Sequence, residues 1–280
     1  MTLCAAGLLS GGSKGPAIIA VSDRRASFWG GLFSSDGAVL KMEAINQDWV
    51  VMIAGDLSPM APLLEALHRH IPMKSPETVR DFAHLCSRIY REERKLIIKS
   101  EVLTEFDLDT YEEYQALRTT DEAYYNAVKE KVQKAEEGWN LLFFGFDSNK
   151  EPHIFVITEH GRIQYCDLMG YAAIGIGSVQ AHISLSRSYK THYSVPIAVY
   201  NLLSAKFDAE SADGVGPHTL CYIKRTEGYE VFIASDTINK VRKLRDAMPR
   251  LPEHVIKEIT DDIEEQRARL SGSGTSGQGQ

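Results

Sequence analysis

The chain has little cysteine, no basic excess and no long apolar run, and each shortage excludes something. Four cysteines in 280 residues (Cys4, Cys86, Cys166 and Cys221) lie far apart with no C-x-x-C spacing. They read as buried thiols of a reducing compartment and supply neither a disulfide framework nor a zinc site. Thirty-one Lys and Arg against 38 Asp and Glu leave a formal charge of −7, the wrong sign for a nucleic-acid surface. No apolar stretch reaches the ~18 residues of a membrane span. Residues 3–9 have the length of a signal-peptide core, but no Lys or Arg precedes them and a glycine turn follows. These shortages predict a cytoplasmic protein with neither a nucleic-acid nor a membrane partner. Nucleotide fingerprints are missing too. The Gly-x-Gly-Ser at 175–178 has no P-loop lysine and none of the other dinucleotide glycines. A tight turn with Ser178 capping the next helix is expected there, and no cofactor or metal is expected anywhere.

What is present is a 44% hydrophobic chain with ample material for one large core or two small ones. Residues 2–10 and 16–22 read as strands joined by a turn with three glycines, a hairpin. Residues 37–45 and 48–55 read as a second strand pair, the latter a near-continuous apolar run suited to burial on both faces. Leu63, Leu64 and Leu67 begin helical spacing. Ser75 as N-cap with Pro76 behind it predicts the next helix start, and Val79, Phe82, Ala83, Cys86, Ile89 and Tyr90 keep to one face. Residues 91–138 turn charged and helical, with Tyr111, Tyr114, Tyr124 and Tyr125 among acids and lysines, which reads as a solvated helical excursion. Strand signals return at 141–146, 152–158 and 162–167. Helices are expected from about 179 and from Ser194, a strand pair at 218–224 and 229–234, and a last helix at 252–270. Residues 271–280 contain only Ser, Gly, Thr and Gln, the composition of a disordered tail. Strands, helix pair, strands, helix pair, strands: this order predicts an α+β fold, a four-layer αββα sandwich of two antiparallel sheets between helical layers. With no repeat and no linker, residues 1–270 are expected to form one domain.

Two positions carry chemistry on residue type alone. A small second residue such as Thr2 permits removal of Met1, leaving a threonine with a free α-amine, a nucleophile and its base in one residue. Many chains begin Met-Thr without consequence, so the dipeptide needs context. Lys41 sits among apolar neighbours, where a charge needs a partner or a task. The charges of Asp23-Arg24-Arg25 follow an apolar run abruptly, and solvation at a strand end is the bland explanation.

Several separated stretches together resemble one family. Ser22-Asp23-Arg24-Arg25-Ala26-Ser27 is similar to that family's Ala-Asp-Arg-Arg-Ala-Thr. Lys41 precedes Gly55 by fourteen residues, the family's spacing between its lysine and its oxyanion-hole glycine. Tyr171 to Gly175 resembles its lead into a glycine turn, and Asp208-Ala209-Glu210-Ser211 fits its Asp-x-x-Ser. Over residues 2–90 and 141–235 the chain resembles the β-type subunits of the proteasome and their bacterial peptidase relatives, which are N-terminal-nucleophile (Ntn) hydrolases. The resemblance implies the Ntn-hydrolase fold and a threonine endopeptidase. Thr2, Asp23, Lys41, Asp208 and Ser211 would be catalytic, Arg25 supporting, and the Gly55 N–H the oxyanion donor, an interaction of ~2.7–4 kcal/mol elsewhere. The freed α-amine, titrating near ~7.7–8.0, would be the base. Ala26, Val39, Ile53 and Leu57 would line an apolar first specificity pocket, unless Glu43 turned in and favoured basic side chains. Two departures stand out: Ile176 where the family has serine between two glycines, and a helical insertion at 95–138 in place of a shorter link. The partners implied are peptides or unfolded polypeptides, further copies in stacked rings, and an ATP-dependent unfoldase. A non-catalytic ring subunit, which Ile176 favours, and an Ntn amidase acting on a small amide are the alternatives.

Overall fold

The computed structural model describes residues 2–11, 15–28, 33–36, 41–55, 60–73, 78–136, 139–226 and 230–247. Residues 1–242 form one compact unit and residues 243–280 a second, of which only 243–247 are described. Two five-stranded antiparallel sheets organise the first unit. The first sheet contains β1 (Cys4–Leu9), β2 (Ala17–Asp23), β10 (Tyr171–Ile174), β11 (Thr219–Arg225) and β12 (Glu230–Phe232), in the order β10-β1-β2-β11-β12. The second runs β5 (Met42–Ala44), β6 (Trp49–Ala54), β7 (Asn140–Phe146), β8 (Pro152–Thr158) and β9 (Arg162–Tyr165), in chain order. A separate ribbon pairs β3 (Arg25–Phe28) with β4 (Phe33–Asp36).

Strand alternation explains the layering. Even-numbered residues of β1 and β2 (Cys4, Ala6, Leu8, Ile18, Ala20) face Val50, Met52, Leu142 and Phe144 of the other sheet. Their odd-numbered neighbours Ala5, Ile19 and Val21 face Ala181 and Leu185 of α5 (Ser178–Ser188) and Leu202 and Leu203 of α6 (Val195–Ala209). On the far side, Val51, Phe143 and Phe155 meet Leu63 and Leu67 of α1 (Met60–His70) and Phe82 and Cys86 of α2 (Val79–Glu101). Both faces of β1, β2 and β6 are therefore covered and every one of their residues is buried, which is why they read as unbroken apolar runs rather than alternating ones. The result is the four-layer αββα sandwich expected from the sequence.

Several details differ from expectation. The N-cap of α2 is Thr78, whose hydroxyl accepts the Asp81 N–H at 3.2 Å; Ser75 and Pro76 lie outside the described residues. At α5 the cap is Gly177, and Ser178 is the first helical residue with no side-chain capping bond. Residues 37–40 of an expected strand are outside the described set, and pairing covers only Met42–Ala44. Helix α7 (Ser235–Asp246) was not expected at all: Ile238 is its one buried residue, so apolar periodicity could not reveal it. The helix expected at 252–270 and the tail 271–280 lie outside the described residues. The segment beyond α2 comprises a 3₁₀ turn (Leu103–Phe106), α3 (Tyr111–Thr120) and α4 (Glu122–Glu136). It is more than a solvated hairpin. Ile98, Val102, Leu103, Tyr114, Val128 and Val132 form a core of their own, with Tyr114 stacked on Tyr125 at 5.2 Å.

Candidate active site

Asp23, the last residue of β2, is completely buried. Solvation at a strand end is therefore the wrong explanation for this charge. Its Oδ1 accepts from the Thr2 hydroxyl (2.7 Å), the Leu3 N–H (2.7 Å) and Lys41 Nζ (2.9 Å). Its Oδ2 accepts from Lys41 Nζ (2.9 Å), the Arg25 N–H (3.1 Å) and the Gly216 N–H (3.3 Å). Three main-chain N–H groups, the Thr2 hydroxyl and Lys41 thus give the buried carboxylate a full set of donors. The Lys41 ammonium, 3% exposed, is its counter-ion and also donates to the Thr2 hydroxyl through a short contact. Lys41 is held in place by the β5–β6 register: the Ile53 N–H donates to its carbonyl at 3.0 Å, one step beyond Met42 opposite Met52.

Thr2 is 2% exposed, and its main chain is fixed by the glycine turn between β10 and α5. The Gly177 N–H donates to the Thr2 carbonyl at 3.3 Å. Gly175 has φ 93°, and a Cβ there would lie 2.3 Å from that same carbonyl oxygen. Both conformation and space therefore demand glycine. Between the two glycines, Ile176 leaves its side chain half exposed. The Thr2 hydroxyl thus lies between an ammonium that favours negative charge on oxygen and a carboxylate that holds its proton.

The remaining expected positions are spread around this centre. Gly55 follows β6 with φ 124°, a glycine-favouring conformation. Arg25 contributes its main-chain N–H to Asp23. Asp208 is in the last turn of α6. The exposed Ser211 donates its hydroxyl to the Asp208 carbonyl at 2.7 Å, and no hydrogen bond joins it to Thr2 among the described residues. Ile53 is buried; Ala26 is placed only by its pairing with Ser35, and Val39 and Leu57 lie outside the described residues. Glu43 is exposed and reaches His68 of α1 at 2.9 Å. Among the described residues no group of three or more His, Cys, Asp or Glu could hold a metal ion, and no helix is long and apolar enough to cross a membrane.

The chain matches no family model and no curated protein. Solved structures do match. Anbu from Yersinia bercovieri, described as an ancestral β-subunit, is 17% identical with a TM-score of 0.61, over 89% of this chain and 99% of that one. A Gly-1 mutant of Anbu from Hyphomicrobium sp. strain MC1 is 14% identical with a TM-score of 0.59, over 90% of this chain and 99% of that one. The fold is that of Anbu. These neighbours correct the family expectation, because Anbu is proteasome-related but distinct from the β-type subunits and bacterial peptidases that the motifs suggested. The reason is that Asp-Arg-Arg, the Lys-to-Gly spacing and Asp-x-x-Ser sit at strand and helix ends of the shared sandwich. Such short patterns report the scaffold and do not select a branch of it.

Some residues at this centre escaped the sequence reading. Cys4, two positions after Thr2, donates to the Ile53 carbonyl at 3.4 Å. Burial pushes its thiol up to about 12, with Lys41 opposing and Asp23 adding to the rise, so it stays protonated beside the hydroxyl. Gly216 gives Asp23 a donor from far along the chain, a contact no local pattern announces. Lys206 of α6 is completely buried and bonds the Gly216 carbonyl at 2.8 Å. A lysine inside an apolar helix, four residues before Glu210, was the available signal.

Proposed function

We propose that this chain is a threonine-type N-terminal-nucleophile hydrolase that cleaves amide bonds in peptides or unfolded polypeptides, once the peptide bond before Thr2 is cut. The observation that carries this reading is the Thr2 hydroxyl bonded to both Lys41 and Asp23 in a buried setting. In the reaction, Thr2 Oγ1 attacks the scissile carbonyl carbon and its proton passes to the freed α-amine, directly or through water. The Lys41 charge stabilises the oxygen as it loses the proton. The Gly55 N–H donates to the developing oxyanion. The amine then protonates the leaving nitrogen, and water added to the Thr2 ester completes hydrolysis and restores the hydroxyl. Asp23 fixes Lys41 and the first peptide of the strand throughout.

The test is an intact-mass measurement combined with peptide cleavage. Active protein should begin at Thr2, and Thr2→Ala should lower cleavage of a fluorogenic peptide to background. Wild-type turnover in that variant would refute the nucleophile. A non-catalytic subunit is the second reading, favoured by the 2% exposure of Thr2 and by Ile176 in place of a hydroxyl. Self-association belongs to the proposal as well. Ile176, Val179 and Ile183 leave apolar side chains exposed at and beyond the start of α5, the kind of patch that another subunit covers. Light scattering should show an oligomer at micromolar concentration, and a stable monomer would refute this part.

A further inference from the structure

Beneath Asp23 lies a second charged cluster that the reaction above does not use. Lys206 Nζ has three protons and three partners: the Gly216 carbonyl (2.8 Å), the Pro217 carbonyl (3.1 Å) and, through a short contact, the Glu210 carboxylate. Arg242 of α7 grips Glu210 with both terminal nitrogens, at 2.6 and 2.7 Å, and reaches the Pro217 carbonyl at 3.2 Å. Its guanidinium lies 4.0 Å from the centroid of the Phe207 ring. From one side, Lys206 thus donates to the carbonyls of Gly216 and Pro217 and Arg242 to that of Pro217, while Glu210 ties the two cations together. From the other side the Gly216 N–H donates to Asp23 Oδ2, and the His218 carbonyl accepts the Arg24 N–H at 3.1 Å.

We infer that Lys206, with Glu210 and Arg242, is a positioning residue for the catalytic centre: it holds the Gly216 carbonyl and so fixes the residue whose N–H orients the Asp23 carboxylate, and through it Lys41 and Thr2. The inference rests on the reading of Thr2 as nucleophile. Gly216 has no side chain and cannot hold its own conformation, while Pro217 has a fixed φ and no N–H to anchor it. The carbonyls of Gly216 and Pro217 are the acceptors this pair offers, and Lys206 takes both. An ammonium buried with all three protons engaged has one stable geometry. Loss of any partner leaves a buried group unsatisfied, so the segment has no second arrangement of comparable stability.

The experiment uses the full chain with the Thr2 amine exposed and compares wild type with Lys206→Met, Glu210→Gln and Lys224→Met. Lys224 is the control: it is equally buried (2% exposed) and bonds Glu230 and the Gln47 carbonyl rather than the Asp23 centre. Two quantities are measured. One is amide hydrogen exchange at Gly216. The other is the rate and pH profile of labelling by a small β-lactone, in which Thr2 Oγ1 attacks the lactone carbonyl, the ring C–O bond opens and the proton passes to the released alkoxide. Lys206→Met should speed Gly216 exchange at least tenfold, slow labelling at least tenfold and shift its pH profile. Glu210→Gln should do the same to a smaller degree, and Lys224→Met neither. Unchanged Gly216 exchange in Lys206→Met overturns the inference. So does faster exchange with an unchanged labelling rate and pH profile. If wild type is not labelled at all, the nucleophile reading fails, and the exchange comparison alone decides whether Lys206 sets the donor on Asp23. Should Lys206→Met not fold, Glu210→Gln against Lys224→Met makes the same comparison.

Discussion

Replacing Asp23 by asparagine keeps the shape of the side chain and removes its charge. The magnitude follows from what surrounds it. Both oxygens accept main-chain N–H groups: Oδ1 that of Leu3, Oδ2 those of Arg25 and Gly216. Whichever way the new amide is turned, its NH₂ faces at least one N–H donor that has lost its acceptor, which costs about 1–3 kcal/mol. Lys41, 3% exposed, is left without its counter-ion, and breaking a buried pair from one side costs about 3–5 kcal/mol. These terms overlap, so Asp23→Asn should lose about 3–5 kcal/mol in all. For a domain of this size that lowers Tm by roughly 6–20 °C. Lys41→Met should cost less, because the Asp23 carboxylate keeps its hydroxyl and N–H donors. The double variant should lose less than the two single losses added, by about 1–3 kcal/mol, since it buries no unpaired charge. Urea denaturation at one fixed protein concentration reads all three. A loss below about 1 kcal/mol for Asp23→Asn, or strict additivity in the double variant, would show that the charge pair does not hold this end of the sheet.

Two further outcomes follow from geometry outside that pair. Gly175→Ala must adopt φ 93° and press a methyl on the Thr2 carbonyl; backbone strain of about 1–3 kcal/mol and overpacking of similar size should appear together in the thermal midpoint, and an unchanged midpoint would contradict the close approach. His153 lies between two carboxylates, its Nδ1 2.7 Å from Asp167 and its Nε2 3.6 Å from Asp147, with its ring stacked near Trp49. Burial opposes its charge, but the hydrogen bond and charge of Asp167, with Asp147, raise its pKa above the ordinary value. A raised folded value means its stabilisation is fully present below about pH 6.5, the unfolded value. It is lost as pH rises through the folded value. The stability gap between wild type and His153→Gln should therefore be larger at pH 5.5 than at pH 8.5, and a gap that widens with pH would reverse the assignment.

How much was legible differs between fold and centre. The layers were readable because burial on both faces writes itself as unbroken apolar runs at β1, β2 and β6, and helices on one side only write a 3.6-residue period, as in α2. Helix α7 was not readable, since a helix with one buried residue carries no period. Caps were misplaced for a related reason. Ser75 and Ser178 are good capping residues by type, but Thr78 lies three residues before the Asp81 N–H it accepts, and Gly177 occupies the cap position that Ser178 was expected to fill. At the centre, a lysine in an apolar stretch and an aspartate ending an apolar strand each announced a need for a partner, and the structure makes them partners of each other. The Gly216 donor and the Lys206 support join segments almost two hundred residues from Asp23, where only tertiary structure supplies the connection. Ser211 is a different case. A residue at the matching place in a motif can have its hydroxyl committed locally, here to the Asp208 carbonyl.

The place of β1 in its sheet has a consequence for biosynthesis. Thr2 is translated before the residues that surround it, but β1 is hydrogen-bonded to β2 on one side and to β10, residues 171–174, on the other. The glycine turn that fixes the Thr2 carbonyl follows β10, and the last donor to Asp23 is residue 216. Contacts of such sequence separation form late, because a long loop must close before they contribute anything. A growing chain therefore carries its threonine until residue 216 has been made without the lysine–aspartate setting complete around it. The hydroxyl is made before its partners, so the order of synthesis completes its surroundings only when nearly the whole sandwich exists.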